Sequence, residues 1–378
     1  MSDLAPVISC VDGNYEPNRP QEFTCQKAVA LIVSKAGEME VFGEDSKCNR
    51  ILTNIPPLTF TGHSVSLLDN QLIIGASSVA SDSWKYLSLR DPRGGLLANP
   101  WTETKTLGTN GPVGHLSFVY GKDLIFLGGE RGTQAILQNG RTENGEWNLL
   151  RLSWKNGTRF DAPQDACLVK VNSYKFAILG GQDKTNGQTT PAVLLIDMKE
   201  QSVEQLGSLT FARMKHACAI ISDPSLDLDT RPFVLVTGGL SDNSDAKDEL
   251  FDLTRRSSRA LDNFMNIQRS DHRMITLGDS VFALGGHMDG LTVDTVEVFD
   301  ASSESWRTLS SRLKSNSTSG LAVAALPISA VSCNQGCQCG VGSDARIIGG
   351  VEAEVTSCQI LFDNLLFRLS LIHGLVFC

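Results

Sequence analysis

Short apolar runs, each closed by turn residues, recur along most of the chain, and the stretch between 269 and 309 shows how one unit is written. Residues 272–276 mix apolar and polar positions, Gly278-Asp279-Ser280 reads as a turn, and residues 281–284 (VFAL) form a continuous apolar run ending at Gly285-Gly286. That order predicts two strands joined by a hairpin, the second covered on both faces. A polar loop over 287–290 precedes an alternating third strand at 296–299 and a fourth at 305–309 around Trp306. Trp306 reads as a wedge against the neighbouring unit rather than as a ligand platform.

The same apolar run with a glycine doublet appears at Gly128-Gly129, Gly180-Gly181, Gly238-Gly239 and Gly285-Gly286, at spacings of 52, 58 and 47 residues. Worn versions lie upstream at 72–77 (LIIGAS) and 30–37 (ALIVSKAG), giving six copies. A period near ~50 residues with short β-type segments predicts propeller blades, four-stranded sheets that bury their faces only against one another. The doublets mark places where a side chain would hold two backbones apart.

These residues resemble the kelch repeat, which also carries the later aromatic and an Arg-x-x-His lead-in, here at Arg213 to His216 and Arg269 to His272. The resemblance covers roughly 28–327. It implies an all-β chain, a six-bladed kelch-type β-propeller with a short irregular C-terminal tail, whose ring closes by pairing 320–327 with 28–33. The corresponding division is 1–27 as an N-terminal segment, 28–328 as the propeller, and 329–378 as a cysteine-containing linker and stub. The first two copies depart from the pattern, with Lys35-Ala36 and Gly75-Ala76 in place of the doublet, and Asp165 or Cys167 stands where other copies have histidine.

Charge and candidate chemistry narrow the function. Lysine and arginine number 33 against 42 acidic residues, a net charge of -9, which has the wrong sign for a nucleic-acid footprint. His63, His115, His216 and His272 recur at similar phase in different copies, so the ring separates them and a shared metal site is not expected. Kelch-like copper oxidases use tyrosine and histidine ligands with a Tyr–Cys crosslink, but Tyr15, Tyr86, Tyr120 and Tyr174 form no such constellation. Phosphate loops, HExxH and paired CxxC spacings are missing. No catalytic residue, cofactor or metal ligand is assigned. The expected activity is binding of a protein partner through the irregular loops at 182–190, 223–231, 240–249 and 287–292, rich in acidic and amide side chains. The basic run Arg255-Arg256-Ser257-Ser258-Arg259 reads as a solvated loop.

The tail carries a second resemblance. Arg346-Ile347-Ile348-Gly349-Gly350-Val351-Glu352-Ala353 looks like the activation junction of chymotrypsin-like serine protease zymogens, which implies cleavage between Arg346 and Ile347. Only 28 residues follow Gly350, too few for a catalytic domain, so the alternative reading is the targeting or regulatory propeller of a secreted protease precursor. The last 20 residues are apolar, yet Asp363 and Arg368 would each cost ~3 kcal/mol at mid-bilayer and argue against a span. Asn156-Gly157-Thr158 and Asn316-Ser317-Thr318 are glycosylation triplets. Cysteines cluster near both ends (Cys10, Cys25, Cys48, Cys333, Cys337, Cys339, Cys358, Cys378), where ring closure makes disulfides plausible, while Cys167 and Cys218 read as buried thiols. These features favour an extracellular lineage. Residues 1–26 lack a secretory signal, which favours the cytoplasm for the chain as written.

Overall fold

In the computed structural model the chain divides into two compact units, Lys27–Val331 on the one hand and Met1–Gln26 with Ser332–Cys378 on the other. The structure describes residues 28–34, 38–43, 50–52, 63–68, 71–78, 81–90, 102–107, 115–128, 133–137, 147–221, 232–242, 247–277, 280–314, 320–327, 360–362 and 365–367. Among them no helix occurs, and none is therefore long and apolar enough to cross a membrane.

The larger unit is a succession of antiparallel sheets. The first is built from both ends of that unit: β1 (Ala28–Val33), β2 (Met39–Phe42) and β3 (Arg50–Leu52). The second comprises β4 (His63–Leu68), β5 (Gln71–Ser78), β6 (Ser81–Arg90) and β7 (Thr102–Leu107). The third comprises β8 (His115–Tyr120), β9 (Asp123–Gly128), β10 (Thr133–Leu137) and β11 (Trp147–Leu149). In the fourth, β13 (Cys167–Lys170), β14 (Lys175–Leu179), β15 (Ala192–Asp197) and β16 (Ser202–Ser208) are joined at the outer edge by β12 (Ser153–Trp154), which runs parallel to β16. The fifth holds β17 (Ala217–Ile221), β18 (Phe233–Thr237), β19 (Glu249–Asp252) and β20 (Ser257–Ala260). The sixth holds β21 (Arg273–Leu277), β22 (Ser280–Leu284), β25 (Thr295–Asp300) and β26 (Ser305–Arg312), with a small hairpin of β23 (His287–Met288) and β24 (Leu291–Thr292) between its second and third strands. The last strand of this unit, β27 (Ala322–Pro327), returns to the first sheet and pairs with β1 from Ala28 opposite Pro327 to Val33 opposite Ala322. In the other unit, β28 (Ile360–Phe362) pairs with β29 (Leu365–Phe367).

The arrangement is propeller-like. β27 runs beside β4, β4 beside β8, β13 beside β17, β17 beside β21 and β21 beside β27, so the first strand of each sheet lies next to the first strand of a neighbour. Burial grades outward for the same reason. The second strands β14, β18 and β22 are buried at every position but their first, whereas the outermost strand β20 is almost wholly exposed. A strand covered on both faces by adjacent sheets has no solvent side, which is why these runs are continuously apolar rather than alternating.

The core lies between sheets. Trp306 closes against Ala219, Leu235, Leu250 and Phe299, with the Phe299 ring 5.1 Å away, so it fills the space between the fifth and sixth sheets. A corresponding layer between the fourth and fifth sheets contains Val169, Leu179, Val193, Cys218, Val236 and Phe251. Two expectations need correction. Residues 287–290 form part of the β23–β24 hairpin rather than a plain loop, and the basic run at 255–259 enters β20, where Arg259 pairs with Glu304 of the sixth sheet. Gly278 and Asp279 lie outside the described residues.

Candidate functional site

The glycine doublets mark the tightest approaches between sheets. A Cβ on Gly180 would stand 2.7 Å from the Arg213 carbonyl oxygen and 2.7 Å from Cε1 of His216, both of the following sheet's lead-in; one on Gly238 would stand 2.2 Å from the Arg269 oxygen and 2.9 Å from Cε1 of His272. The second glycine faces its own lead-in: Gly239 abuts the His216 Cβ and Gly286 the His272 Cβ, each at less than 3 Å. Backbone bonds cross at the same place, from Gly181 N–H to the Arg213 carbonyl (2.8 Å) and from Gly239 N–H to the Arg269 carbonyl (3.0 Å). Gly128 abuts Ala162 in the same way, Gly285 has φ +63°, and Gly129 lies outside the described residues. In the fourth sheet Gly181 meets Ala166 where Gly239 meets His216, so Ala166 takes the histidine's place, not Asp165 or Cys167.

Each lead-in arginine is buried with a glutamate of the third strand. Arg213 Nη2 lies 2.9 Å from Glu249 Oε1, and Arg269 Nη2 lies 2.6 Å from Glu297 Oε2, all four side chains fully buried. Most of their other hydrogen bonds go to backbone. Arg269 donates to the carbonyls of Gly285 and Thr295, while Glu297 accepts from the Asn266 and Ile267 N–H groups. Glu249 accepts from Thr210 N–H and the Ser258 hydroxyl, and Glu40 of the first sheet accepts from Lys314 N–H. These acids therefore hold the connection entering from the outer strand. Sequence reading found the arginines and histidines but not the glutamates, although they share one strand phase in three sheets.

Burial sets the charge states. Desolvation and the neighbouring Arg213 guanidinium push His216 down to about 3, and burial with Arg269 and Arg273 nearby holds His272 well below the ordinary histidine range. Asp248 is pushed up to about 6 by burial, against bonds from Met265 N–H and Gly238 N–H. The two histidines are thus neutral packing groups. His272 Nε2 lies 2.9 Å from the Thr237 hydroxyl. Among the described residues no group of three or more His, Cys, Asp or Glu could hold a metal ion.

A cavity of about 250 Å³ is lined by residues of six first strands: Val65 of β4, Ser117 of β8, Leu168 of β13, Ala217 of β17, Met274 of β21 and Val323 of β27. Asp165, Lys215 and Asp271 form part of its rim. All three have positive φ (52°, 54° and 58°), and their backbones link in series, Lys215 N–H to the Asp165 carbonyl (2.9 Å) and Asp271 N–H to the Lys215 carbonyl (2.8 Å). Arg273 also lines the cavity, its guanidinium donating to the His272 carbonyl.

Cys167 and Cys218, expected as free buried thiols, are joined in a disulfide with Cα atoms 5.9 Å apart. The reason is phase. Cys167 pairs with Leu179 at the first position of β13, and Cys218 pairs with Val236 at the second position of β17, so alternation turns one toward the fifth sheet and the other toward the fourth. The bond closes 51 residues, for which loop entropy gives typically ~2–4 kcal/mol. The Cys167→Ala/Cys218→Ala protein is expected to lose about 3 kcal/mol in non-reducing urea titrations. Equal midpoints for the oxidised native protein and the variant would contradict the staple. The end-clustered cysteines, Arg346, Ile347 and Asn316 all lie outside the described residues, whereas Asn156 sits exposed in a turn and accepts from the Thr158 amide and hydroxyl.

The expected binding loops separate by strand direction. Connections between second and third strands (182–190, 240–249, 287–292) leave from one end, together with the connections entering each first strand. The β17–β18 connection, which includes 223–231, leaves from the other and lies outside the described residues. Among the described residues the exposed large hydrophobics are Leu240, Phe264, Met288 and Leu291, and all four lie on connections at the first end. Backbone bonds run through this rim from Leu240 to Met214 and from His287 to Ser270, and the Thr189 hydroxyl bonds Asp242 across two sheets.

Comparison with known families gives one match: the family model of the Kelch motif fits residues 268–312, which span the sixth sheet. No curated protein matches the chain. The motif and the propeller-like succession of sheets together support a kelch-repeat β-propeller.

Proposed function

We propose that Lys27–Val331 forms a closed six-bladed propeller that binds a protein partner, without catalysis, on the end carrying Leu240, Phe264, Met288 and Leu291. The single observation that carries the binding surface is the segregation of these four exposed apolar side chains onto one end, where Leu291 is 71% exposed. Exposed apolar groups rimmed by polar loops are what a docking surface leaves uncovered in the free protein. Six-fold closure is supported by the axial cavity, which takes residues from six first strands, and by the β1–β27 pairing. A non-catalytic role is supported by the structural work of the buried charged groups: Arg213, Glu249, Arg269, Glu297 and Asp248 all bond to backbone. The Cys167–Cys218 bond supports an oxidising, extracellular setting.

Peptide-library selection on the native protein tests the reading. Binders are expected to lose at least about tenfold in affinity, ~1.4 kcal/mol, on the Leu240→Ser/Met288→Ser/Leu291→Ser variant. They should be unaffected by Lys122→Ser at the opposite end. The reverse pattern would place the partner on the other end and reject the proposal. A second reading, a targeting module attached to a serine protease, is favoured by the run Arg346 to Ala353 alone. Transcripts continuing past Gly350 into a catalytic domain would support it, and their absence from full-length transcript sequencing would reject it.

A further inference from the structure

The inter-sheet disulfide lies where it can react. Cys167 and Cys218 are each 8% exposed, are packed on one side against the core between the fourth and fifth sheets, and line the axial cavity on the other. A cavity of about 250 Å³ falls just below the ~300–1,000 Å³ of ordinary small-molecule pockets, so it admits a small reagent and excludes a folded protein. Two cations, Lys215 and Arg273, share this lining with the disulfide. Asp165 and Asp271 share the rim with them, so the lining carries two cations and two carboxylates. Thiol–disulfide exchange needs an attacking thiolate with access along the S–S axis, which the cavity gives to a small reagent.

We propose that the axial cavity is a thiol–disulfide exchange site in which small thiols, and not protein-sized reductants, open and reseal the Cys167–Cys218 bond. In the opening step the thiolate sulfur attacks one cysteine sulfur. The S–S bond breaks, the other cysteine leaves as a thiolate, and a mixed disulfide forms. A second small thiolate then attacks the reagent's sulfur in that mixed disulfide and releases the second cysteine. The balance is one protein disulfide reduced to two thiols and two small thiols oxidised to their disulfide; resealing is the reverse, with the small disulfide as oxidant. The consequence is structural: opening removes the covalent tie between these two sheets beside the rim formed by Asp165 and Lys215. This proposal stands apart from partner binding, and its test does not measure binding.

The full chain, purified without reductant, is exposed at equal thiolate concentration to glutathione, to neutral 2-mercaptoethanol and to thioredoxin, and the alkylation of Cys167 and Cys218 is followed by peptide-resolved mass spectrometry. Both small thiols should open the bond, with thioredoxin at least about tenfold slower. Alkylation of both cysteines before any reductant is added would overturn the proposal. So would an equal rate with thioredoxin or no opening by glutathione.

Discussion

Glu297→Ala is expected to lower stability by about 3–5 kcal/mol, enough to leave many domains of this size only marginally folded. The substitution leaves the Arg269 guanidinium charged in a fully buried site. Burial already lowers the Arg269 pKa, with Glu297 as the group that opposes the shift. It also strips the Asn266 and Ile267 amides of their acceptor. Buried ion pairs can often be exchanged for apolar residues at no loss, but this one differs because most of its bonds go to backbone. Arg269→Met/Glu297→Leu would leave the Gly285 and Thr295 carbonyls and two amides without these partners, each unmet group costing ~1–3 kcal/mol. The double variant should therefore remain destabilised by at least as much as the single one. Urea titration followed by circular dichroism at pH 7 measures all three proteins; a double variant as stable as the native protein would show that the pair contributes nothing beyond its own charges.

How much of this was readable from the chain depends on which residues repeat. The glycine doublets and the apolar runs before them located the second strands of four sheets, and the return of 320–327 to 28–33 is the β1–β27 pairing observed. Trp306 was readable because an aromatic in a mostly polar outer strand has only the adjacent sheet to pack against. The buried glutamates were not. Val296-Glu297-Val298-Phe299 alternates, and alternation ordinarily places the polar residue in solvent; here the adjacent sheet covers that face, and the counter-charge sits 28 residues earlier at Arg269. The available signal was their nearly equal spacing behind the doublets, 11 residues from Gly238 to Glu249 and 12 from Gly285 to Glu297. The cysteines were missed for a related reason. Each was read within its own strand, whereas their opposite parity in successive sheets is what turns them toward each other. Of the candidate site, the loops were legible and their segregation to two ends was not, since that follows from strand direction rather than loop composition.

Acid should unfold this protein steeply, beginning near pH 6.5. His216 has its folded pKa lowered to about 3 and His272 is held well below its ordinary value, so in the window beneath 6.5 the unfolded chain binds two protons that the folded chain does not. Groups depressed in this way contribute stability that is complete above 6.5 and lost as pH falls, at ~1.4 kcal/mol per pH unit each. Asp248 works in the opposite sense. Its folded pKa, raised to about 6 from 3.8, means that the folded chain takes up a proton first, so between pH 6 and 3.8 it offsets one histidine. The net expectation is a loss of ~2.7 kcal/mol per unit just below 6.5, easing to ~1.4 per unit down to pH 4, about 4 kcal/mol in all. His216→Gln removes one of the two protons. Its urea-derived stability at pH 7, 6, 5 and 4 should start lower, because the ring packs against Gly180 and Gly239, but should fall less steeply by about 1.4 kcal/mol per unit. Parallel profiles for the two proteins would mean that His216 is charged in the fold. A proton buried against the Gly180 contact would then have to be held by a group other than Arg213, whose own positive charge opposes it.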